Sequence, residues 1–103
     1  MRKTGTTSRG GSFPEAIINA VWMKGTVVPG QDARQYRKDA CGAWMRRDLH
    51  GDTSNDMGWE VDHVVPVARG GSDDLSNLQP LQWQNNRHKG DDYPQWSCAV
   101  SAK

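Results

Sequence analysis

WEVDHVVPVARGGSDDLSNLQPLQWQNNRHKGDD, residues 59–92, is the stretch whose reading decides the fold. Residues 59–65 alternate and are rich in β-branched side chains, a strand pattern that Pro66 ends because it has no N–H for a ladder. Residues 69–77 (RGGSDDLSN) then supply a loop, with paired glycines for unusual backbone angles and short polar side chains that bond their own backbone. Residues 78–81 form at most a short second strand, since Pro80 confines it to an edge or an end. From 82 to 89 there is no Gly, Pro or β-branched residue, and Gly90 stands where a helix would terminate. The predicted unit is strand, long loop, short strand, helix.

Asp62-His63 and Asn77 fourteen positions after the histidine, within DHVVPVARGGSDDLSNLQPL, together with Asn86 nine after that, resemble the HNH nucleases. The resemblance covers about a third of the chain and implies a ββα-metal fold that binds one divalent cation between a strand end and a helix. The third letter of the motif is Asn here, as in the HNH domains of RNA-guided CRISPR nucleases. The likeness is to small stand-alone HNH proteins without a zinc ribbon. It implies that Asn77, as the family's central Asn, holds the imidazole of His63 in its productive orientation, and that the products carry 5′-phosphate and 3′-hydroxyl ends.

The chemistry can also be argued from the residues. Phosphodiester hydrolysis needs a nucleophilic water, a cation to neutralise phosphate charge and stabilisation of the leaving oxygen. A neutral histidine is matched to accept the water's proton near neutral pH, so His63 is the candidate general base. Asp62 and Asn86 offer hard oxygens, and two protein ligands suit Mg²⁺ or Mn²⁺ better than a closed zinc site. In an ideal strand Asp62 and His63 point to opposite faces, so both serve one phosphate only if it docks at the strand end. At ~100° per residue Asn86 and His88 lie on nearly opposite helix faces. Spacing selects Asn86; His88 reads as a solvated helix residue, with phosphate contact as the alternative, and Asn85 as packing or capping. Arg87 and Lys89 are candidate DNA-backbone clamps, weighed against ordinary surface charge.

At 103 residues the chain fits one small domain with a thin core, in which five tryptophans are expected to carry much of the packing. No repeat, membrane-spanning run or signal peptide is evident, and the expectation is a soluble cytoplasmic protein. The net charge of +1 hides an asymmetry, because residues 1–47 carry nine basic and three acidic side chains and residues 48–103 carry four and nine. A basic half beside an acidic, cation-binding half suits a phosphate backbone, though split charge is also common in proteins that bind no nucleic acid.

Residues 1–12 (MRKTGTTSRGGS) read as a mobile basic arm. Ser12-Phe13-Pro14-Glu15 reads as a capping box, opening a helix whose stripe of Phe13, Ile17, Ala20 and Val21 ends at Gly25. Residues 26–31 read as a turn, and 32–40 as a short helix exposing Arg34, Arg37 and Lys38. Residues 41–45 open another strand; Arg46 and Arg47 after it are candidates for DNA contact, with salt bridging as the equal alternative. His50 reads as exposed. Gln82 and Asn85 stand where a zinc ribbon would need thiolates, so no structural zinc is expected, and the only cysteines, Cys41 and Cys98, default to free thiols. Tyr93 and Trp96 are expected to fold the tail back on the domain.

The sequence therefore predicts an α+β fold, a small single domain built around a ββα-metal motif with a preceding N-terminal helix. A flexible arm covers 1–12 and a nuclease domain 13–103, with its core at about 59–90. The expected activity is metal-dependent endonucleolytic hydrolysis of duplex DNA, nicking one strand per site as a monomer. The alternatives are a non-catalytic DNA-binding module of the same shape and, disfavoured by the missing thiols, a zinc-stabilised interaction domain.

Overall fold

The computed structural model describes residues 2–102. Its elements are α1 (Glu15–Trp22), β1 (Tyr36–Lys38), β2 (Trp44–Arg46), β3 (Trp59–His63), β4 (Leu78–Gln82) and α2 (Trp83–Lys89). Short 3-10 turns lie at Arg47–Leu49, Val67–Arg69 and Leu75–Asn77. This is the expected α+β fold with its strand, loop, strand and helix unit.

Two antiparallel hairpins form separate sheets, β1 with β2 and β3 with β4. In the second, Asp62 stands opposite Gln79 and His63 opposite Leu78. Pro80 faces Val61, which a two-stranded ladder tolerates because each strand is an edge. The connecting loop returns tightly: Gly71 passes so close to the Val65 carbonyl that a Cβ there would lie 1.7 Å from its oxygen. Gln82 caps α2, its side-chain oxygen accepting from the backbone N–H groups of Gln84 and Asn85.

All five residues of β3 are buried, because α2 covers one part of the hairpin and α1 another. The apolar core joins Phe13, Ile18, Val21 and Trp22 to Met45, Trp59, Val61 and Leu78. Trp22 and Trp59 meet with ring centroids 5.2 Å apart. Only these two of the five tryptophans are buried; Trp44, Trp83 and Trp96 are half-exposed. Burying large aromatics in so short a chain keeps the core thin, as the composition implied.

Several expectations are corrected. Helix α1 starts at Glu15 behind Pro14, with no side-chain cap, so the Ser12 capping box does not form. The Pro14 carbonyl instead accepts from Ile17 and Ile18, and the helix stops at Trp22, short of Gly25. Its buried face is Ile18, Val21 and Trp22, with Ala20 only half-buried, because Trp22 must reach Trp59. Residues 36–38 are strand and not helix, with Arg37 turned inward. Its guanidinium donates to the carbonyls of Ala33, Met23 and Gly25 at 2.9–3.1 Å, satisfying backbone left open after α1. That tertiary role overrides the local propensity.

Cys41 and Cys98 are joined in a disulfide, overturning the free-thiol expectation and, with it, the residue-level support for a reducing compartment. The tail is held by that bond and by Asn85, whose Oδ1 accepts from the backbone N–H groups of Ala99 and Val100 at 2.8 Å, and not by its aromatics. Tyr93 is 41% exposed. Residues 2–12, read as a mobile arm, form turns and hydrogen-bond to Asp73 through Ser8. Met1 of that arm and Lys103 lie outside the described residues. No helix among the described residues is long and apolar enough to cross a membrane.

Candidate active site

The end of β3 and the middle of α2 face one cavity of about 110 Å³, whose lining includes Asp62, His63, Asn86, Arg87 and Asp91. Neighbouring strand residues project to opposite faces, so Asp62 and His63 share the cavity because it lies at the strand end beside Pro66. Glu60 and Asp62, two apart on the strand, meet Asn86 and Lys89, three apart on the helix. Both periods bring successive side chains to one face, which is why the motif assembles here.

His63 is 3% exposed, beside Phe13. Its Nε2 lies 2.8 Å from Oδ1 of Asp73. Ser8 also bonds Asp73, through its backbone N–H and its hydroxyl. Desolvation pushes the Asp73 carboxyl up, yet the hydrogen bonds from His63 and Ser8 outweigh it and leave the group below the usual aspartate range. An ionised Asp73 fixes the proton on Nε2 and leaves Nδ1 as the basic nitrogen. No described residue hydrogen-bonds Nδ1.

Asn77 does something other than expected. Its Oδ1 accepts from the Val65 N–H at 2.8 Å, and its Nδ2 donates to the carbonyls of Val65 and Ser72. It ties the two ends of the loop together and does not touch the His63 ring, so the imidazole's partner is Asp73.

Asp62 is 6% exposed and accepts from Nε2 of Gln79 at 2.9 Å. The Lys89 ammonium lies 3.3 Å from Asp62 and donates to the His63 carbonyl at 3.0 Å. Burial raises the Asp62 pKa above its ordinary value, while Gln79, Lys89 and His63 pull it partly back. Lys89 is 1% exposed, so the residue read as a surface clamp is an internal partner of the site.

Asn86 lines the cavity and donates from Nδ2 to Oε1 of Glu60 at 3.0 Å, which dictates the orientation of the amide and leaves its oxygen without a partner among the described residues. Arg87, half-exposed, pairs with the same Glu60 at 3.1 Å. His88 faces elsewhere, 3.1 Å from the Ser97 hydroxyl in the tail.

Arg46 and Arg47 do not line the cavity. Arg46 pairs with Asp48, and Arg47 pairs with Glu15 while lying over the Trp59 ring. His50, expected to be exposed, is half-buried edge-on against Trp59 with centroids 4.9 Å apart.

The family model described as HNH endonuclease matches residues 46–92, from the end of β2 through α2. Over this segment, a little under half of the chain, the protein is similar to the HNH endonucleases. No curated protein and no solved structure matches the chain significantly.

HNH nucleases generally use a divalent metal ion. Within this HNH segment Asp62 and the Asn86 amide oxygen are hard donors on one cavity, a set that fits a small cation keeping most of its waters. They do not make a closed cage: among the described residues no three His, Cys, Asp or Glu side chains are grouped to hold a metal.

Three residues of this candidate site escaped the sequence reading. Glu60 was legible, since the two-residue strand period puts it on the face of Asp62. Asp73 was read only as a turn former, and its reach to His63 depends on how the loop closes. Gln79 becomes visible only once register sets it opposite Asp62.

Proposed function

We propose that the protein is a metal-dependent endonuclease that hydrolyses phosphodiester bonds of duplex DNA, cutting one strand per encounter as a monomer. The observation that carries this reading is the convergence of His63, Asp62 and Asn86 on one cavity inside the segment that the HNH model matches. Asp73 holds the His63 ring through Nε2, so Nδ1 accepts the proton of the attacking water. Asp62 and Asn86 hold Mg²⁺ or Mn²⁺, which when bound neutralises charge on the phosphate and the departing oxygen. Asn77 acts one step back, by fixing the loop that carries Asp73. Arg46 and Arg47 contact the DNA backbone by exchanging their present surface carboxylates for phosphates, an exchange made easy by the small worth of exposed ion pairs, whereas half-exposed Arg87 keeps its pair with buried Glu60 and offers phosphate the remaining face of its guanidinium. Lys89 is reassigned from backbone clamp to organiser of Asp62 and the β3 end.

A second reading, a DNA-binding module without catalysis, is favoured by one observation: the Lys89 ammonium already compensates Asp62. Incubation of supercoiled plasmid with Mg²⁺, Mn²⁺ or EDTA decides between them. The nuclease reading expects open circles first, linear DNA slowly, and no product with EDTA, because one base and one cation serve one strand. Retardation of the DNA with no cleavage in either metal would support the binding module. Linear product with no open-circle intermediate would replace the monomer by a symmetric dimer.

A further inference from the structure

We propose that Arg2 is a ligand for the substrate phosphate, delivered into the catalytic cavity by the N-terminal arm. The proposal rests on the nuclease reading and extends it to a segment outside the family match.

Arg2 lines the cavity together with Asp62, His63 and Asn86. Its Nη1 donates to the Thr6 carbonyl at 2.9 Å and to the Lys3 carbonyl at 3.4 Å, so one nitrogen is spent on bracing the guanidinium within its own turn. Nε and Nη2 have no hydrogen-bond partner among the described residues, and these form the fork that binds two oxygens of a phosphate. The other nearby cations are engaged: Arg87 with Glu60, Lys89 with Asp62 and the His63 carbonyl. Asp91 also lines the cavity but forms no ion pair with Arg2.

The arm's position is set by the acids that orient the working side chains. Ser8 is pinned to Asp73, the partner of His63, by bonds of 2.8–3.1 Å. Gly5 adopts φ +80° against Glu60, the partner of Asn86, where a Cβ would come within 3.4 Å of the Glu60 Cβ. Arg2 is thereby held relative to the base and to the cation ligands at once. A strap built to keep phosphate out would not present an uncompensated guanidinium to the space the phosphate needs.

The test uses the full chain with Arg2→Ala and Arg2→Lys. Single-turnover nicking of supercoiled plasmid should fall on the order of 10²-fold in Arg2→Ala, the usual loss for one preorganised donor to transition-state charge, with partial recovery in Arg2→Lys. In parallel, inorganic phosphate is titrated into wild type and Arg2→Ala, and the amide resonances of Gly5 and Gly90 are followed. Shifts in wild type that vanish in Arg2→Ala support the assignment, even if wild type cleaves nothing and the nuclease reading itself fails. Wild-type rates and unchanged phosphate shifts in Arg2→Ala would overturn it. Faster nicking by Arg2→Ala would overturn it as well, making the arm a barrier.

Discussion

Two buried aspartates at opposite ends of the β4–α2 unit do different work. Asp39, 3% exposed, takes four hydrogen bonds of 2.9–3.0 Å: from the backbone N–H groups of Cys41, Ala43 and Gln82, and from the Asn85 amide. Asp62 is similarly buried, yet its donors are the side-chain tips of Gln79 and Lys89, and it borders a cavity. Backbone donors are preorganised and leave Asp39 nothing further to bind, whereas Asp62 keeps capacity for a ligand. Burial alone therefore does not mark a functional carboxylate. Adjacent helix residues serve the two centres, Asn85 reaching Asp39 and Asn86 reaching Glu60. The Asp39 cluster also includes the positions, Gln82 and Asn85, at which a zinc ribbon would need thiolates.

The largest contrast should come from removing the base. His63→Ala is expected to slow nicking by about 10²- to 10⁴-fold while unfolding stays cooperative. Full activity in that variant would place the working end of the molecule elsewhere. The matching change at the other end, Asp39→Ala, strips three buried donors and one part-buried donor of their acceptor and should cost on the order of 3–5 kcal/mol in denaturant titration. Its folded fraction should nick at nearly the wild-type rate. Asp62→Asn should differ in function, losing Mg²⁺ or Mn²⁺ binding in calorimetry and activity with it, while also costing stability because it leaves the buried Lys89 ammonium without its counter-charge; His88→Ala should leave cation binding alone. If both aspartate variants lose activity alike, the division between the two ends is wrong.

These assignments also mark what could be read in the sequence. The hairpin, loop and helix were legible because hydrophobic period, Pro66, the glycine pair and Gly90 agree locally. Asp62, His63 and Asn86 were legible because the motif fixes their spacing, and the cavity does gather them. What stayed hidden depends on long-range return of the chain. Asp73 reaches His63 across ten residues of loop, and Ser8 reaches Asp73 across 65. Lys89 looks like surface charge until α2 is docked on β3, and Arg37 looks helical until the carbonyls after α1 need donors. The Cys41–Cys98 pairing spans 57 residues and has no local signal.

Reduction of that bond gives an intermediate effect confined to the Asp39 end. Releasing a cross-link across a loop of this length should lower stability by about 2–4 kcal/mol, because the unfolded chain regains freedom. The tail would then rest on Asn85, the His88–Ser97 contact and the Ala102–Gly42 hydrogen bond. Amide exchange should accelerate in residues 97–102 and not at β3, with nicking retained in dithiothreitol. Loss of nicking on reduction would show that the two ends are coupled.

The smallest effect concerns pH, where His50 and Asp62 act with opposite sign. Burial is the main cause that lowers the His50 pKa below 6.5, Arg47 adds to it, and Glu15 and Glu60 oppose it. Between that lowered value and 6.5 the unfolded chain binds more protons than the folded one, so stability falls as pH drops through this window. Asp62 has a raised pKa in the folded state, so there the folded chain binds the extra proton and acidification favours folding. His50→Gln removes only the first contribution. Its lost packing on Trp59 is a constant offset at every pH. The difference in unfolding free energy between wild type and His50→Gln should thus be flat above about pH 7 and shift steadily in favour of the variant as pH falls below the ordinary histidine value. Denaturant titrations at half-unit steps would show it. A difference that stays flat throughout would mean that His50 is as well solvated folded as unfolded, and would leave Asp62 as the member of the pair that burial perturbs.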